Sequence, residues 1–297
     1  MDRLEAMRVF RAVVDGGSLS AASRQLRMPL ATVSRKVSDL EAHLKARLLQ
    51  RSTRKLVLTD AGADYLAACR RILDEVDDAE RRAAGEFTAP RGDLVITAPV
   101  LFGRLHVLPI VADFLRAYPE VDVRLLLGDR VLNLLDEHVD VAVRIGELAD
   151  SALVATRVGA TRQVVSGSPA YLDQRGRPAQ LGELSTHDTI TFEGLMGAQA
   201  WTFREGTAVS VRSRLTVNTA EAAIAAAISG VGLTRTLSYQ VSAPMREKTL
   251  ERVLQDFEPP PSPISLVYPQ QGRLPLKTRA FLDFATPRLR AGLVGSS

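Results

Sequence analysis

The stretch SRQLRMPLATVSRKVSDLE (residues 23–41) joins two helical patterns through one proline. In and after its second half, apolar residues recur at i, i+4, i+7 and i+11, the spacing of one helix face. They are Val33, Val37, Leu40 and Leu44. Proline is tolerated in the first turn of a helix, so Pro29 predicts the start of this one. The periodicity leaves two interpretations open, a helical hairpin in a core and a helix–turn–helix that lies in a DNA groove.

The opposite face of this predicted helix carries small, polar and basic side chains. The outward residues are Ala31, Thr32, Ser34, Arg35 and Ser38. A core hairpin favours apolar residues or solvated Glu/Lys pairs at such positions. Short side chains let a helix enter the roughly 12 Å wide major groove, where Arg reaches guanine edges and Ser or Thr reaches bases or phosphates. The face therefore favours DNA contact, with a solvated basic surface as the alternative.

The basic residues are concentrated at one end of the chain. Residues 1–59 contain 12 Lys and Arg against 5 Asp and Glu, whereas residues 60–92 contain 5 against 8. The remaining residues balance at 21 against 21, so the formal net charge of +4 originates in the N-terminal fifth. Such asymmetry is typical of a nucleic-acid-binding arm on a neutral body. Chance fluctuation in a short window is the alternative.

The flanking segments favour a winged helix–turn–helix. Residues 4–14 have helix-spaced apolar side chains, and Ser18 is placed to cap the next helix. The segment LLQRSTRKLVLT (residues 48–59) has two β-prone arms around a polar tip, the pattern of a short hairpin. Its basic side chains are expected to track phosphates as a wing, which contributes affinity and salt dependence. They are Arg51, Arg54 and Lys55.

A long helix is predicted from a cap at Thr59 to about Gly85. It carries an apolar seam suited to pairing with a second copy. The predicted dimerisation residues are Leu66, Cys69, Leu73 and Val76, and Tyr65, Ile72 and Ala79 recur every seven residues. A helix packed on its own domain is the alternative, and Glu80 on the seam weakens the coiled-coil interpretation. Cys69 is an oxidant sensor in one interpretation and a small apolar filler in the favoured one.

Beyond a Gly- and Pro-containing linker, GEFTAPRGD (residues 85–93), predicted strands and helices alternate. Two such series predict two α/β subdomains, with mostly parallel sheets and a cleft between them. Ligands of such sheets bind beyond the C-terminal strand ends, often against helix N-termini. Gly103 and Thr219 are placed where a helix follows a strand, so they are candidates to bind a carboxylate, with ordinary turn and capping chemistry as the alternative.

Other function classes are weakly supported. The chain has no G-x-S-x-G, P-loop, G-x-G-x-x-G or HExxH motif, and its four histidines lack ligand spacing. These observations argue against an enzyme, and no cofactor or metal is expected. The charged N-terminus lacks the apolar segment of a signal peptide, and no run approaches 18 apolar residues. We therefore expect a cytoplasmic protein, and an exported solute-binding protein with a basic arm is the weaker alternative.

Several motifs together resemble the LysR-type transcriptional regulators. The N-terminal ones are FRAVVDGGSLSAASRQL (10–26), TVSRKVSDLEAHL (32–44) and RLLQRSTRKLVLTDAG (47–62). The later ones are YPEV (118–121), DVAVRIGEL (140–148), SPAYL (168–172) and GVGLTR (230–235). The chain departs from the family at Lys45, where many members have Gly, and at Pro29, where many have Ser or Thr. Neither departure removes the proposed DNA-binding face.

The resemblance implies an α+β multidomain fold: a winged helix–turn–helix (1–59), a linker and dimerisation helix with a hinge (60–92), and an effector domain (93–297). That domain resembles periplasmic binding proteins, with subdomain I at about 93–162 and 265–297 and subdomain II at about 163–264. The implied function is sequence-specific DNA binding that a small-molecule effector modulates. Implied partners are promoter DNA, the effector, a second copy in a homodimer or homotetramer, and RNA polymerase, with nucleoid association in the cytoplasm.

The resemblance and the pattern together give two sets of site residues. The DNA-binding set is Ser23, Arg27, Pro29, Ala31, Thr32, Ser34, Arg35, Ser38, Arg51, Arg54 and Lys55. The effector-binding set is Pro99, Val100, Leu101, Phe102, Gly103, Gly128, Ile145, Gly146, Phe192, Thr219 and Thr234. Phe102, Phe192 and Trp201 are interpreted either as an aromatic wall of the effector site or as plain core.

Overall fold

The computed structural model describes residues 1–51, 56–83, 89–130, 133–134, 137–148, 153–193, 200–270 and 274–293. The chain divides into two compact units, Met1–Asp93 and Leu94–Ser297. Within the described residues, no helix combines the length and the apolar character needed to cross a membrane.

The first unit is helical, with one short hairpin. Its elements are α1 (Arg3–Asp15), α2 (Leu19–Gln25), α3 (Leu30–Leu44), β1 (Leu49–Arg51), β2 (Leu56–Leu58) and α4 (Asp60–Ala83). Helix α1 contributes Val9, Phe10 and Val13 to an apolar core that α3 completes with Val33 and Val37. Strands β1 and β2 are antiparallel, as the apolar arms around a polar tip predict.

The predicted helix boundaries of this unit are confirmed by their hydrogen bonds. The Ser18 hydroxyl accepts the Ala21 N–H at 3.1 Å at the start of α2. The Thr59 hydroxyl accepts the Gly62 N–H at 2.9 Å at the start of α4. Pro29 immediately precedes the first residue of α3. Each residue does what its side chain favours, since Ser and Thr oxygens accept N–H groups that helices leave unpaired.

The second unit contains two five-stranded sheets. The first half of its chain forms β3 (Gly92–Ala98), α5 (Val100–Phe102), a π-helical turn (Gly103–Val107), α6 (Leu108–Ala117), β4 (Val121–Leu127), β5 (Val141–Ile145), β6 (Leu153–Thr161), β7 (Gln163–Gly167), α7 (Pro169–Arg175) and β8 (Thr189–Phe192). The second half forms β9 (Ala200–Thr202), β10 (Ala208–Ser210), β11 (Ser213–Val217), α8 (Ala220–Ile228), β12 (Leu233–Leu237), α9 (Ser238–Arg246), β13 (Glu251–Val253), β14 (Ser262–Pro269) and α10 (Leu276–Leu293). Short 3₁₀ turns lie at Leu181–Thr186, Arg204–Gly206 and Gln255–Phe257.

The strand order is β4-β3-β5-β14-β6 in the first sheet and β11-β8-β12-β7-β13 in the second. Both sheets are mixed: β14 is antiparallel to β5 and β6, and β7 is antiparallel to β12 and β13. The prediction of mostly parallel sheets is therefore wrong for these strands. The chain leaves the first sheet through β6 and re-enters it through β14, so β14 is inserted beside strands that precede it by more than a hundred residues.

One apolar cluster joins the two sheets of the second unit. It includes Ile96 and Val141 of the first sheet and Ile190 of the second, together with residues of α8 and α10. The Ala-rich helix α8 places Ala223 and Ala227 in this cluster with no exposed surface. Small side chains allow a helix to pack close to a sheet, so the two sheets share one core.

Candidate DNA-binding face and effector site

Helix α3 separates its buried and exposed residues as the sequence predicts. Val33, Val37 and Leu40 have no exposed surface. On the opposite face Ala31, Arg35 and Ser38 are exposed, and Thr32 and Ser34 are half-buried. The N-terminal half of the helix thus presents short side chains and one arginine, which is the composition that fits a major groove.

The turn before α3 is held by its own hydrogen bonds. The Ser23 hydroxyl donates to the Met28 carbonyl at 2.6 Å, and the Met28 N–H donates to the Ser23 carbonyl at 3.0 Å. Arg27 lies between them with a φ of +51°, a left-handed conformation that ends α2. Ser23 therefore acts through the turn, and Arg27 and Pro29 are exposed beside it.

Side chains of neighbouring elements fix the position of α3. The Lys36 ammonium lies 2.5 Å from the Glu5 carboxylate of α1. At the other end, Glu41 Oε1 accepts the N–H groups of Leu48 at 2.8 Å and Leu49 at 3.1 Å, where the hairpin begins. Strand β1 ends at Arg51, and the predicted wing residues Arg54 and Lys55 lie outside the described residues.

Most of the residues predicted to form the dimer seam of α4 are buried within the first unit. Leu66 and Cys69 belong to the apolar core that α1 and α3 form, and Leu73 has no exposed surface. A side chain that is already buried has no surface left for a second copy, so these three residues do not fit the predicted dimer seam; Val76 is half-buried. Burial raises the pKa of the Cys69 thiol to about 11, which outweighs the opposing effects of Tyr65 and Arg11. The favoured interpretation of Cys69, an apolar filler, agrees with this environment.

The loop after β3 differs from the prediction in one respect. The helix begins at Val100, so Gly103 lies inside the helical segment and not at its start. The Val100 N–H donates to the Asp129 carboxylate at 3.1 Å, so the protein supplies its own carboxylate here. Burial raises the pKa of Asp129, although the hydrogen bond from Val100 opposes the shift. A Cβ at Gly103 would lie 2.2 Å from Leu127 Cδ2, which explains the glycine.

Aromatic rings pack together where α5 and the following turn meet α9. The Phe102 ring lies 4.7 Å from the His106 ring and 5.3 Å, edge-on, from the Tyr239 ring of α9. Phe102 has no exposed surface, and Tyr239 is 2% exposed. Burial lowers the pKa of His106 and raises that of Tyr239. Phe102 is therefore a core residue that packs α5 against α9 at this point.

The other predicted effector residues divide into buried and open positions. Leu101, Phe192 and Thr234 are buried, and the Thr234 hydroxyl lies 3.4 Å from the Ile190 carbonyl. Pro99 is buried, whereas Ile145 and Thr219 are half-buried. The Thr219 hydroxyl accepts the Ala222 N–H at 3.2 Å at the start of α8. Apart from the glycine itself and its two chain neighbours, no heavy atom of the described residues lies within 4 Å of the position a Cβ would take at Gly128 or Gly146.

Two further features of the second unit lie away from these residues. A cavity of about 700 Å³ is formed by β6, β14 and α10, with Tyr268, Arg279 and Arg290 among its walls. Trp201 is 3% exposed and lies 5.7 Å from the Arg235 guanidinium, so it is core. Within the described ranges, no three His, Cys, Asp or Glu side chains come together to hold a metal ion.

Comparison with known proteins identifies both units. Residues 4–63 match the family model described as bacterial regulatory helix-turn-helix protein, lysR family. Residues 88–290 match the model described as LysR substrate binding domain. The chain belongs to the LysR family of transcriptional regulators.

LysR-type relatives match nearly the whole of this regulator. An HTH-type transcriptional regulator of Xanthomonas campestris pv. campestris is 34% identical over 95% of this chain and 84% of its own length. The HTH-type transcriptional activator AaeR of Escherichia coli strain K12 is 31% identical over 96% of this chain and 94% of its own. The solved structure of CrgA, a LysR-type transcriptional regulator from Neisseria meningitidis, superposes with a TM-score of 0.62 at 32% identity, covering 96% of this chain and 98% of that one.

These findings state the function of this LysR-type regulator at the level of its family. It is a transcriptional regulator with a DNA-binding helix–turn–helix and an effector-binding domain, and its relatives are named as regulators and not as enzymes. LysR-type regulators bind DNA and small-molecule effectors and form oligomers.

The sequence motifs do not identify two residues that shape the candidate sites of this regulator. Glu41 joins the recognition helix to the wing through two backbone N–H groups. Asp129 occupies the N-terminus of α5, where the sequence suggests a carboxylate ligand. Each carboxylate accepts a hydrogen bond from a residue outside its own motif. The spacing of residues within a motif therefore does not predict either interaction.

Proposed function

We propose that α3 of this LysR-type regulator lies in the major groove and contacts bases through Thr32, Ser34, Arg35 and Ser38. The supporting observation is the exposure pattern of α3, in which these side chains lie opposite the fully buried Val33 and Val37. Arg35 is the one arginine among them, and Arg is the side chain that most often reads guanine. Ala31, at the start of the helix, is small enough to allow close approach.

The wing is proposed to hold the DNA backbone through Arg51, Arg54 and Lys55. Contacts to phosphates add affinity without sequence choice. Ser23, Arg27 and Pro29 are proposed to position α3, because Ser23 and Met28 brace the turn and the other two residues form it.

The proposal is tested with a duplex that the full-length chain itself selects from a random-sequence pool. Arg35→Ala is expected to lower affinity for the selected duplex by about 1–3 kcal/mol and leave affinity for random DNA nearly unchanged. Arg54→Ala is expected to weaken both and to reduce the salt slope by about 1. Arg71→Ala, which removes an exposed arginine of α4, is the control. Equal losses on selected and random DNA for Arg35→Ala would contradict base contact.

The effector is proposed to bind near Gly128, Ile145 and Gly146, with Thr219 at the start of α8. Gly128 and Gly146 border open space, whereas Leu101, Phe102 and Thr234 are buried in the core and reach a ligand only indirectly. A panel of small aromatic and aliphatic carboxylates should include members that raise the melting temperature of the full chain. Gly128→Leu is expected to abolish that increase, and Gly182→Leu, also in open space, to retain it.

The oligomer is proposed to be a homodimer, or a homotetramer made of two such dimers, paired through α4. The half-exposed residues of α4 include Tyr65, Ala68, Ile72 and Val76, and these four are spaced by three, four and four residues. That spacing is suited to a helix–helix seam. RNA polymerase is proposed as a further partner at promoters, on chromosomal DNA in the cytoplasm.

A further inference from the structure

The cavity formed by β6, β14 and α10 lies apart from the proposed effector site. Strand β14 lies beside both: Ile264, near its start, pairs with Ile145. Tyr268 and Pro269, at the end of the same strand, line the cavity. At roughly 3.3 Å per residue, the four steps from Ile264 to Tyr268 span about 13 Å. The cavity is therefore a separate feature of the second unit, formed by one sheet and one helix.

Apolar side chains form much of the cavity wall. Val154 of β6 pairs with Tyr268 of β14 across the antiparallel ladder, so both side chains lie on one face of the sheet. Leu282 of α10 and Pro269 are buried beside them. The volume of about 700 Å³ is in the range of small-molecule sites, which are lined mainly by apolar and aromatic groups. A wall of this kind suits a ligand with an apolar ring.

The wall also carries charged side chains, with an excess of positive charge. Helix α10 contributes Arg279, Asp283 and Arg290. Arg279 Nε lies 3.9 Å from the Asp283 carboxylate, and both side chains are mostly exposed, so they form a weak pair that is neutral as a whole. Among the described residues, no carboxylate lies within ion-pair distance of Arg290. The excess is one positive charge, which favours a ligand with one negative charge.

The backbone of β6 holds the Arg290 guanidinium in place. Its Nε and Nη2 atoms donate to the Arg157 carbonyl at 3.3 and 3.0 Å. That carbonyl lies at a bulge, because β6 has one extra residue, Val158, opposite the neighbouring residues Ile264 and Ser265 of β14. A guanidinium has five N–H donors, so three of them remain for a further acceptor. The edge formed by the two terminal nitrogens can bind a carboxylate in a bidentate pair.

We infer that this cavity is a second small-molecule site, which binds an organic monoanion made of an apolar ring and a carboxylate. The ring packs against Val154, Tyr268 and Leu282. The carboxylate accepts hydrogen bonds from Arg290. The apolar wall and the fixed guanidinium line the same cavity, and each matches one half of such a ligand. The site goes beyond the proposed function, because it uses none of the residues proposed to contact DNA or the effector.

Methyl NMR spectra of the full-length chain, with isotope-labelled Ile, Leu and Val, distinguish this site from the proposed effector site. Cinnamate, an aromatic monoanion, is the probe. It should shift the Val154 and Leu282 methyl signals in a saturable way, with a dissociation constant at about the millimolar level that is usual for ligands of its size. Cinnamamide has nearly the same shape and no charge. It should bind about ten-fold more weakly, because it lacks the charge-assisted contact with Arg290.

Two variants test the contacts of the probe. Arg290→Gln should weaken cinnamate binding by about ten-fold. Arg288→Gln is the control, since this exposed arginine of the same helix stacks 3.5 Å above the Phe284 ring and does not line the cavity. Thr156→Phe, at a half-buried position of β6 on the cavity wall, should abolish binding by filling the space. The melting temperature of each variant without cinnamate shows whether it is folded.

The inference is overturned if cinnamate at up to about 10 mM shifts no methyl signal, or shifts that of Ile145 alone. It is also overturned if cinnamamide binds as tightly as cinnamate, or if Arg288→Gln weakens binding as much as Arg290→Gln does. A shift of Ile145 alone would support the proposed effector site, so the two proposals fail independently. If Thr156→Phe does not fold, the comparison of Arg290→Gln with Arg288→Gln decides the outcome.

Discussion

The Glu41 carboxylate on α3 accepts the backbone N–H of Leu48, 2.8 Å away, at the start of the wing hairpin. The same oxygen accepts the Leu49 N–H at 3.1 Å. Glu41 is half-buried, and both N–H groups belong to buried residues. Helix α3 and the hairpin are thus joined by one carboxylate, which helps to fix where the hairpin lies relative to the groove that α3 is proposed to enter.

Glu41→Ala is therefore expected to destabilise the protein and to weaken DNA binding. Hydrogen bonds to a charged group contribute about 1.5–3 kcal/mol, and two buried N–H groups would lose their acceptor. Denaturant unfolding measures the loss of stability, and the salt dependence of affinity for random DNA measures the wing contact. Glu41→Gln, which keeps one acceptor oxygen, should lose less. A normal salt slope in a folded Glu41→Ala protein would show that the wing is positioned by other contacts.

Replacing Lys45 with glycine is expected to stabilise the protein. It ends α3 with a φ of +53° and a ψ of 30°, the left-handed conformation that favours glycine. The Lys45 N–H donates to Ala42 and the Ala46 N–H to Glu41, so the helix end is well formed despite the strain. Lys45→Gly should raise the free energy of unfolding by about 0.5–1 kcal/mol. Lys45→Ala, which keeps the Cβ, should show no such gain in the same denaturation experiment.

The buried Cys69 thiol is expected to resist thiol reagents in the folded protein, and the protein is expected to lose stability at high pH. In the folded state burial raises the pKa of the Cys69 thiol to about 11, above the value of about 8.5 for a free cysteine. Because the neutral thiol is favoured by folding, the stabilisation is complete below about pH 8.5 and declines as the pH rises toward 11. A thiol reagent at pH 8 should label the unfolded chain only, and Cys69→Ala should show a smaller decline in stability between pH 9 and 11. Rapid labelling of the folded protein would favour the oxidant-sensor interpretation instead.

The sequence predicts the DNA-binding unit better than the effector domain, for a physical reason. Ser18, Pro29 and Thr59 act within their own helix start, so local chemistry marks them. Strand β6, in contrast, pairs with β14 about a hundred residues later and is separated from β7 by Arg162 alone. Because no Gly or Pro separates them, β6 and β7 form one continuous β-prone segment in the sequence. The sequence pattern therefore predicts β7 but not β6.

The candidate sites show the same limit. The face of α3 follows from helical periodicity, which fixes the side of the helix on which Arg35 lies. Burial of Leu66 and Cys69 depends instead on α1 lying against α4, a contact between residues more than fifty positions apart. Periodicity shows that α4 has an apolar stripe, and tertiary packing decides whether that stripe meets the same chain or a second copy.

The two neighbouring residues Ile72 and Leu73 therefore have opposite expected behaviour. Leu73 has no exposed surface, and an aspartate there would bury an unpaired charge. Leu73→Asp should lower the melting temperature strongly or unfold the DNA-binding unit. Ile72 is half-buried, on the stripe proposed to meet a second copy. Ile72→Asp should leave the melting temperature of the DNA-binding unit nearly unchanged. It should lower the mass of the protein in solution toward that of the monomer.

Sedimentation over a range of protein concentrations measures the mass, and thermal melting followed by circular dichroism measures the folding of each variant. Glu75→Gln, at an exposed position three residues along the helix from Ile72, is the control and should change neither quantity. If Leu73→Asp gave a folded monomer while Ile72→Asp left the oligomer unchanged, the dimer interface would instead include Leu73, as the periodicity predicts. The expected result, a folded Ile72→Asp monomer, places the seam on the side of α4 that α1 leaves open.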